Sequence, residues 1–200
     1  MRILIVGSNA REHAITDALA RSPQKPTLFA YGFTKNPGIA ALCRAYEIGK
    51  IDDLSHMVSF AQAQKCDFAF IGPENPIAAG SADALAKVGI PSVAPLQTVA
   101  RLESSKGFTR DLLKKYNIPG NPLFRVFQST EGLRDFIVND LGGNCVVKYD
   151  ALKGGKGVKL MGEHLQTVDE AFAYAAECIA ECGLVVIEEK LIGEEFSLMS

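Results

Sequence analysis

The sequence carries almost no excess of charge and has few cysteines, and each shortage excludes a class of protein. The net charge is −2 at pH 7, so no broad basic surface is expected for nucleic acid or an anionic membrane. No apolar run approaches the roughly 20 residues that a membrane-spanning helix requires. The five cysteines contain no C-x-x-C pair, which favours a reducing, cytoplasmic location over a disulfide framework.

Several catalytic motifs are also missing. The histidines His13, His56 and His164 are dispersed, so a histidine metal site is not expected and no metal ligand is assigned. No G-x-S-x-G elbow supports a covalent hydrolase. The turn after the first strand has Asn9 and Glu12 where the dinucleotide fingerprint G-x-G-x-x-G needs glycine, which argues against a nicotinamide enzyme.

In the first hundred residues, short apolar strands alternate with amphipathic helical patterns. The predicted strands are 2–6, 27–31, 44–48, 67–71 and 91–93, and the predicted helices lie near 10–21, 52–64 and 77–88. This alternation predicts an α/β fold in which a Rossmann-like parallel sheet carries helices on both faces. We assign residues 1–103 to this N-terminal domain.

A different pattern begins after a boundary expected near residues 95–105. Ser104 or Ser105 can cap a helix that ends near Tyr116, and prolines then break the chain, so residues 104–122 form a helical start and linker. The order that follows is strand, helix (130–140), strand, glycine-rich loop, strand, helix, strand. It predicts a small antiparallel α+β module over residues 123–190, with a further part beginning at 191–200.

The most informative segment is the predicted strand, glycine-rich turn and strand over residues 146–158. Gly154, Gly155 and Gly157 surround Lys156, and glycine allows backbone N–H groups to approach an anion. Alternation places Lys148 on a face expected to be buried or to line a cleft, where a lysine needs an anionic partner. The Walker pattern is not matched. We predict a phosphate-binding loop, with an ordinary glycine hairpin as the alternative.

A second strand signature, residues 185–187, runs directly into acidic residues. Glu188 and Glu189 follow the strand at once, and Glu194 and Glu195 come shortly after. Carboxylates in this position can orient lysines or accept hydrogen bonds from ribose hydroxyls. A solvated acidic edge is the alternative. Together with the glycine-rich loop, the acidic strand favours ATP as the ligand.

Polar turns follow three strands of the predicted parallel sheet, at residues 7–13, 36–38 and 72–74. The first opens a helix, whose N-terminal N–H groups suit an anion, with Ser8, Asn9 and Arg11 to assist. Because the carboxyl ends of parallel strands meet at one edge, these turns are expected to converge on a pocket. A plain set of connecting turns is the alternative.

These motifs together resemble a known family. Residues 6–14 read V-G-S-N-A-R-E-H-A, residues 72–76 G-P-E-N-P, residues 102–106 L-E-S-S-K, residues 154–159 G-G-K-G-V-K and residues 186–195 V-I-E-E-K-L-I-G-E-E. In order and spacing the chain resembles the glycinamide ribonucleotide synthetase family of the ATP-grasp superfamily, in its archaeal-type branch. It departs from most members at Asn9-Ala10, where they carry Gly-Gly.

The resemblance implies a pre-ATP-grasp domain followed by the first part of an ATP-grasp domain. It implies ATP-dependent joining of glycine to 5-phosphoribosylamine through glycyl phosphate, in purine biosynthesis. The residues implied to bind ATP are Lys106, Lys148, Gly154, Gly155, Lys156, Gly157, Glu188, Glu189, Leu191 and Glu195. Those implied to bind phosphoribosylamine are Gly7, Ser8, Asn9, Arg11, Glu12, His13, Asn36, Pro37, Gly38, Gly72, Pro73 and Glu74.

The resemblance also implies Mg²⁺ (or Mn²⁺), held by ligands in a C-terminal part that the family has and this chain does not. The chain is therefore expected to be inactive alone. All implied partners are small molecules. Two alternatives stay open at this point: another ATP-grasp carboxylate–amine ligase or carboxylase subunit, and a non-catalytic ATP-binding module.

Overall fold

The structure is a computed structural model that describes residues 1–154, 156–194, 196 and 198. The chain divides into two compact units, an N-terminal unit of Met1–Arg101 and a C-terminal unit of Leu102–Ser200. Among the described residues, no helix has both the length and the apolar character needed to cross a membrane.

The N-terminal unit is built on a five-stranded parallel sheet. Its strands are β1 (Arg2–Val6), β2 (Thr27–Gly32), β3 (Ala45–Ile48), β4 (Phe68–Ile71) and β5 (Ser92–Val93). They lie in the order β3-β2-β1-β4-β5, and every pairing is parallel. The prediction of a Rossmann-like parallel sheet is confirmed. The strand order reverses between β1 and β4, the place where such sheets form a ligand crevice.

Five helices of the described residues belong to this unit: α1 (Ala10–Ala20), α2 (Pro37–Leu42), α3 (Leu54–Ala63), α4 (Glu74–Ala78) and α5 (Ser81–Lys87). A further helix, α6 (Gln97–Ser104), crosses the boundary between the two units. The single helix predicted over 77–88 is wrong, because Gly80 adopts φ +94° and separates α4 from α5. Helix α2 was not predicted. Asn36 caps it by accepting hydrogen bonds from the N–H groups of Gly38 and Ile39.

Both faces of the central strands are buried, as a parallel sheet covered by helices requires. Leu4 and Phe29 belong to the core on one face. Ile5 and Ala30 belong to the core on the other face. The sheet is thereby rigid, and the turns at its carboxyl edge are held at defined positions.

The C-terminal unit combines helices with an antiparallel sheet. Its elements are α7 (Lys106–Lys115), β6 (Phe124–Phe127), α8 (Leu133–Asp135), β7 (Cys145–Tyr149), β8 (Val158–Leu160), α9 (Val168–Cys182) and β9 (Val185–Glu189). The strand order is β6-β9-β7-β8. Every pairing is antiparallel, as predicted. The helix predicted over 130–140 begins later, at Leu133, and continues as a π-helical segment over Phe136–Asp140.

Helices α9 and α7 pack against opposite faces of this sheet. Val147 and Ile187 belong to the core that contains α9 residues Ala171 and Ala175. On α7, a Cβ built at Gly107 would lie 3.4 Å from a methyl of Val126 and 3.6 Å from one of Val186. The absence of a side chain at Gly107 therefore brings α7 close to the face that carries Lys148 and Glu188.

Candidate functional site

In the N-terminal unit, the turn after β1 is organised around the buried carboxylate of Glu12. Its Oε2 accepts a hydrogen bond from the Asn9 N–H at 2.7 Å, and the side chain is packed between the ends of β1 and β4. A Cβ built at Gly72 would lie 2.1 Å from Glu12 Oε1, and one at Gly7 would lie 2.5 Å from Glu12 Cγ. Both strand ends therefore need glycine to let Glu12 enter.

Arg11 links the same turn to the turn after β4. Its guanidinium donates to the Gly72 carbonyl at 2.7 Å and to Glu74 Oε1 at 3.1 Å. A backbone hydrogen bond at Glu74 and then the hydrogen bond from Arg11 hold the pKa of the Glu74 carboxyl below its usual value. The Arg11–Glu74 pair is exposed enough to meet a ligand at this edge.

The turn after β2 joins the other two through Ser8 and Asn36. The Ser8 hydroxyl accepts from the Phe33 N–H at 2.7 Å, and Asn36 Nδ2 donates to the Ser8 carbonyl at 2.9 Å. A Cβ built at Gly38 would lie 2.1 Å from His13 Cε1, so the imidazole fits only against glycine. The three predicted turns thus meet at one edge of the sheet.

In the C-terminal unit, the described residues form a cavity of about 150 Å³. It is lined by Leu102, Lys106, Thr109, Arg110 and Lys148. The structure therefore brings together Lys106 and Lys148, which were predicted as phosphate ligands. A small cavity with three cationic side chains in its wall is suited to a multiply charged anion.

The cations converge because they lie on adjoining elements around one buried carboxylate. Glu188 is 4% exposed and accepts from Arg110 Nε at 2.7 Å and from Arg110 Nη2 at 3.1 Å. Lys148 Nζ pairs with the same carboxylate. The prediction that Lys148 requires an anionic partner is confirmed, and the partner is Glu188.

Asp150 connects the start of the glycine-rich loop to the first turn of α7. Its carboxylate accepts from the Ser105 hydroxyl at 2.9 Å and from the Gly107 N–H at 2.8 Å. Ser105 itself caps the helix by accepting from the Phe108 N–H. Lys106 Nζ donates to the Ala151 carbonyl at 3.2 Å. The start of the loop, Lys106 and the first turn of α7 are therefore parts of one hydrogen-bonded arrangement.

Beyond Asp150 the predicted loop residues do not all reach the cavity. Lys153 Nζ pairs with Glu181 Oε2 at 2.5 Å and lies 3.7 Å from the centre of the Tyr149 ring; this pairing raises the pKa of Lys153. Lys156 is exposed and is not among the cavity residues. Gly154 has φ +57°. Gly155 lies outside the described residues.

The acidic strand is used in several ways. Glu189 Oε1 accepts from the Leu123 N–H at 2.8 Å, and Leu191 is exposed. Glu195 lies outside the described residues. The roles that the resemblance implies for these residues at adenine and ribose stay predictions.

The structure shows two residues of the candidate site that the sequence analysis did not identify. Arg110 lies one helical turn after Lys106, so the i, i+4 spacing on α7 carried a signal that could have found it. Tyr46 donates to the Thr34 carbonyl at 2.6 Å and accepts from the Asn36 N–H at 3.3 Å, and so holds the turn after β2. Nothing in the sequence around Tyr46 indicated this role.

The folds and the polar sites of the two units define a class of protein. A doubly wound parallel sheet with three polar turns at its crevice is followed by an antiparallel α+β unit with a cationic cavity beside a glycine-rich loop. This is an α/β architecture whose sheet crevice and helix N-termini are, in general, suited to anionic ligands.

Comparisons with known proteins identify the family. Residues 1–103 match the family model "Phosphoribosylglycinamide synthetase, N domain", and residues 104–200 match "Phosphoribosylglycinamide synthetase, ATP-grasp (A) domain". The chain belongs to the phosphoribosylglycinamide synthetase family.

Relatives and solved structures agree with this assignment. Over 200 residues the chain is 44% identical to phosphoribosylamine–glycine ligase of Methanosarcina barkeri, covering 100% of this chain and 46% of the relative. Over 197 residues it is 44% identical to the Pyrococcus abyssi ligase, covering 98% and 44%. The chain thus spans about half the length of these relatives.

Among solved structures, phosphoribosylamine–glycine ligase from Thermotoga maritima matches with a TM-score of 0.72 at 27% identity, over 97% of this chain and 45% of that one. An ADP complex of N5-carboxyaminoimidazole ribonucleotide synthetase matches with a TM-score of 0.72 at 19% identity, over 95% and 47%. The second likeness shows the fold alone; the ATP-grasp assignment rests on the family model that matches residues 104–200.

Proposed function

We propose that the chain carries the phosphoribosylamine pocket and part of the ATP site of a phosphoribosylamine–glycine ligase. In the proposed reaction, the γ-phosphoryl group of ATP passes to the carboxylate of glycine, giving ADP and glycyl phosphate. The amine of 5-phosphoribosylamine then attacks the acyl carbon, giving glycinamide ribonucleotide and phosphate. The observation that carries this proposal is the cationic cavity, which lies in the unit matched by the ATP-grasp model.

The residues of the C-terminal unit have assigned tasks in this proposal. Lys106 and Lys148 bind the phosphates of ATP, and the proposal is supported by the presence of both lysines among the residues that line the cavity. The loop over residues 154–157 closes on the phosphates. The end of β9, with Glu188 and Glu189, flanks the adenine together with Leu191, which follows the strand. Glu195 holds the ribose. Positioning and charge neutralisation carry most of phosphoryl transfer, so such groups suffice for this half of the site.

The N-terminal unit supplies the proposed pocket for the amine substrate. The turns of residues 7–13, 36–38 and 72–74 meet at the sheet crevice through hydrogen bonds from Arg11 and Asn36. In this proposal Arg11 and the N–H groups at the start of α1 face the ribose phosphate. Glu12 acts by filling the space between the strand ends.

Magnesium belongs to the proposed reaction but not to the residues seen here. Within the described part of the chain, no group of three or more His, Cys, Asp or Glu side chains could hold a metal ion. The buried carboxylate near the cavity, Glu188, is already taken by two cations. No step is therefore assigned to a metal on these residues. A cytoplasmic location is part of the proposal and is supported by the five free thiols.

The test is a ligase assay with ATP, Mg²⁺, glycine and freshly generated 5-phosphoribosylamine. It compares the chain alone with the chain joined to the remaining length of the Methanosarcina barkeri relative. We expect glycinamide ribonucleotide only from the joined protein. Lys148→Ala should lower the rate by about 100-fold or more, as loss of a charge-stabilising group does, whereas Lys87→Ala, at an exposed site, should not.

Two results would contradict the proposal. Bicarbonate-dependent ATP hydrolysis without glycine incorporation would identify a carboxylase. ATP binding by the joined protein, without any product from glycine, would identify a non-catalytic nucleotide-binding module.

A further inference from the structure

The cavity of the C-terminal unit contains one cation more than the resemblance provides. Lys106, Arg110 and Lys148 all line it, while Glu188 is the buried carboxylate that contacts two of them. Arg110 and Lys148 are each 21% exposed at the side chain. Both are therefore held by Glu188 and still reach the cavity.

The charges do not cancel. One carboxylate faces the two cations that it binds, and Lys106 adds a third positive charge whose contact is a neutral carbonyl. The Asp150 carboxylate accepts hydrogen bonds from Ser105 and Gly107 at the start of α7, and Asp150 is not among the residues that line the cavity. An excess of positive charge in a small partly enclosed space requires an anion.

The Arg110 guanidinium also has more N–H donors than its contact with Glu188 uses. A guanidinium carries five N–H donors in a planar fork. Glu188 engages Nε and one N–H of Nη2, which leaves three N–H groups that no described residue engages, on a residue that lines the cavity. Lys148 already gives Glu188 a counter-charge, so neutralising Glu188 does not by itself require Arg110.

We propose that Arg110 is a third polyphosphate-binding residue of this cavity, and that Glu188 is the positioning residue that aims Arg110 and Lys148 at the anion. The inference rests on the proposed function in taking the anion to be the phosphate chain of ATP. It adds a residue that the resemblance does not assign, and it gives the Glu188 side chain a task on the phosphate side of the site.

The experiment measures binding of three probes to the chain by calorimetry: inorganic tripolyphosphate, ATP and adenosine. The variants are Arg110→Gln, Arg110→Lys and Glu188→Gln. Arg134→Gln is the matched control, because Arg134 is paired with Asp169 and does not line the cavity. Thermal unfolding of each variant verifies that it is folded.

Arg110→Gln should weaken tripolyphosphate and ATP binding by about tenfold, the worth of one charge-assisted hydrogen bond, and leave adenosine binding unchanged. Arg110→Lys keeps the charge but loses the fork and should show a smaller loss. Glu188→Gln should also weaken tripolyphosphate binding, although it makes the cavity more positive. Charge alone predicts tighter binding for Glu188→Gln, so the direction of the change separates positioning from simple attraction.

The outcomes distinguish this inference from the proposed function. If the wild-type chain binds ATP, and folded Arg110→Gln and Arg110→Lys bind tripolyphosphate as well as wild type does, the inference is wrong and the ligase proposal stands. If the chain binds tripolyphosphate but no better when adenosine is attached, the ATP proposal is wrong and loss in Arg110→Gln still supports the inference. If the chain binds no polyphosphate, both are wrong.

Discussion

Replacing Gly72 with alanine tests how tightly the crevice of the N-terminal unit is built. A Cβ at this position would lie 2.1 Å from Glu12 Oε1 and 2.6 Å from Glu12 Cδ. The φ angle of Gly72 lies outside the left-handed region, so the cost of Gly72→Ala is steric. Glu12 is only 1% exposed, and its carboxylate has no open solvent into which it can move.

The size of the effect follows from what the methyl group displaces. Overpacking a tight site costs about 1–3 kcal/mol. Moving the Glu12 carboxylate also lengthens its hydrogen bond to the Asn9 N–H, now 2.7 Å, and such a bond to a charged group is worth about 1.5–3 kcal/mol. We expect Gly72→Ala to lower the free energy of opening in this region by about 2–4 kcal/mol.

A double-mutant cycle with Glu12→Ala isolates the cause. Glu12→Ala alone should cost about 2 kcal/mol through the lost hydrogen bond and helix cap. Because it also removes the clashing atoms, adding Gly72→Ala should cost little more, which gives a coupling of about 2–4 kcal/mol, the whole cost of Gly72→Ala in the wild-type background.

The assay is hydrogen exchange by mass spectrometry, read on peptides covering residues 1–15 and 66–80. Gly193→Ala is the control, since no atom of the residues that the structure describes lies within 4 Å of its Cβ position. Wild-type protection in Gly72→Ala, or strictly additive costs in the double variant, would refute the reasoning.

Three further predictions concern charge, thiol chemistry and the glycine-rich loop. A backbone hydrogen bond, followed in size by the hydrogen bond from Arg11, lowers the pKa of Glu74 in the folded state from its ordinary value of 4.5. The ionised Glu74 therefore stabilises the fold at pH values above its unfolded-state pKa, and this stabilisation is lost as the pH falls through its folded-state pKa. Glu74→Gln should therefore flatten the loss of unfolding free energy in acid, measured by urea titration from pH 6 to 3. Burial raises the pKa of the Cys145 thiol to about 11, so at pH 8 iodoacetamide should label it only after urea is added, as mass spectrometry would show. Glu181→Gln removes the anionic partner of Lys153 and should speed hydrogen exchange over residues 151–158, and unchanged exchange would show that the pair does not restrain the loop.

Most of the fold was predictable because its signals are local and repeated. The five strands of the parallel sheet are short apolar runs. In the second sheet, β7 and β8 pair antiparallel across the glycine-rich turn, as a hairpin does, whereas the strand order β6-β9-β7-β8 was not predicted. The errors fall where a single residue decides the backbone. Gly80 at φ +94° divides a continuous helical pattern into α4 and α5. Asn36 and Pro37 are an N-cap and first-turn pair that begins α2, although they were interpreted only as a turn.

The sequence indicated individual residues of the candidate site, but not which of them contact one another. The lysine at position 148 stood out because strand alternation placed a cation on a buried face. Glu188 stood out as an acid at the end of a buried strand. That these two meet depends on the register of β7 against β9, in which Val146 lies opposite Glu188. A single sequence does not specify such a long-range register, so the pairing could only be seen in the folded chain.

The contacts of Glu188 also explain why the proposed phosphate site contains a buried carboxylate. Three cations around a cavity of about 150 Å³ repel one another, and without an internal anion Arg110 and Lys148 would turn outward to water. Glu188 makes the inward arrangement stable before the ligand arrives, and its bidentate contact fixes the plane of the Arg110 guanidinium. Because a single carboxylate cannot neutralise two cations, the arrangement keeps its attraction for a polyanion. In this inference Glu188 supplies the orientation and the cations supply the attraction, and the missing side chain at Gly107 allows the close approach of α7 to the face that carries Glu188.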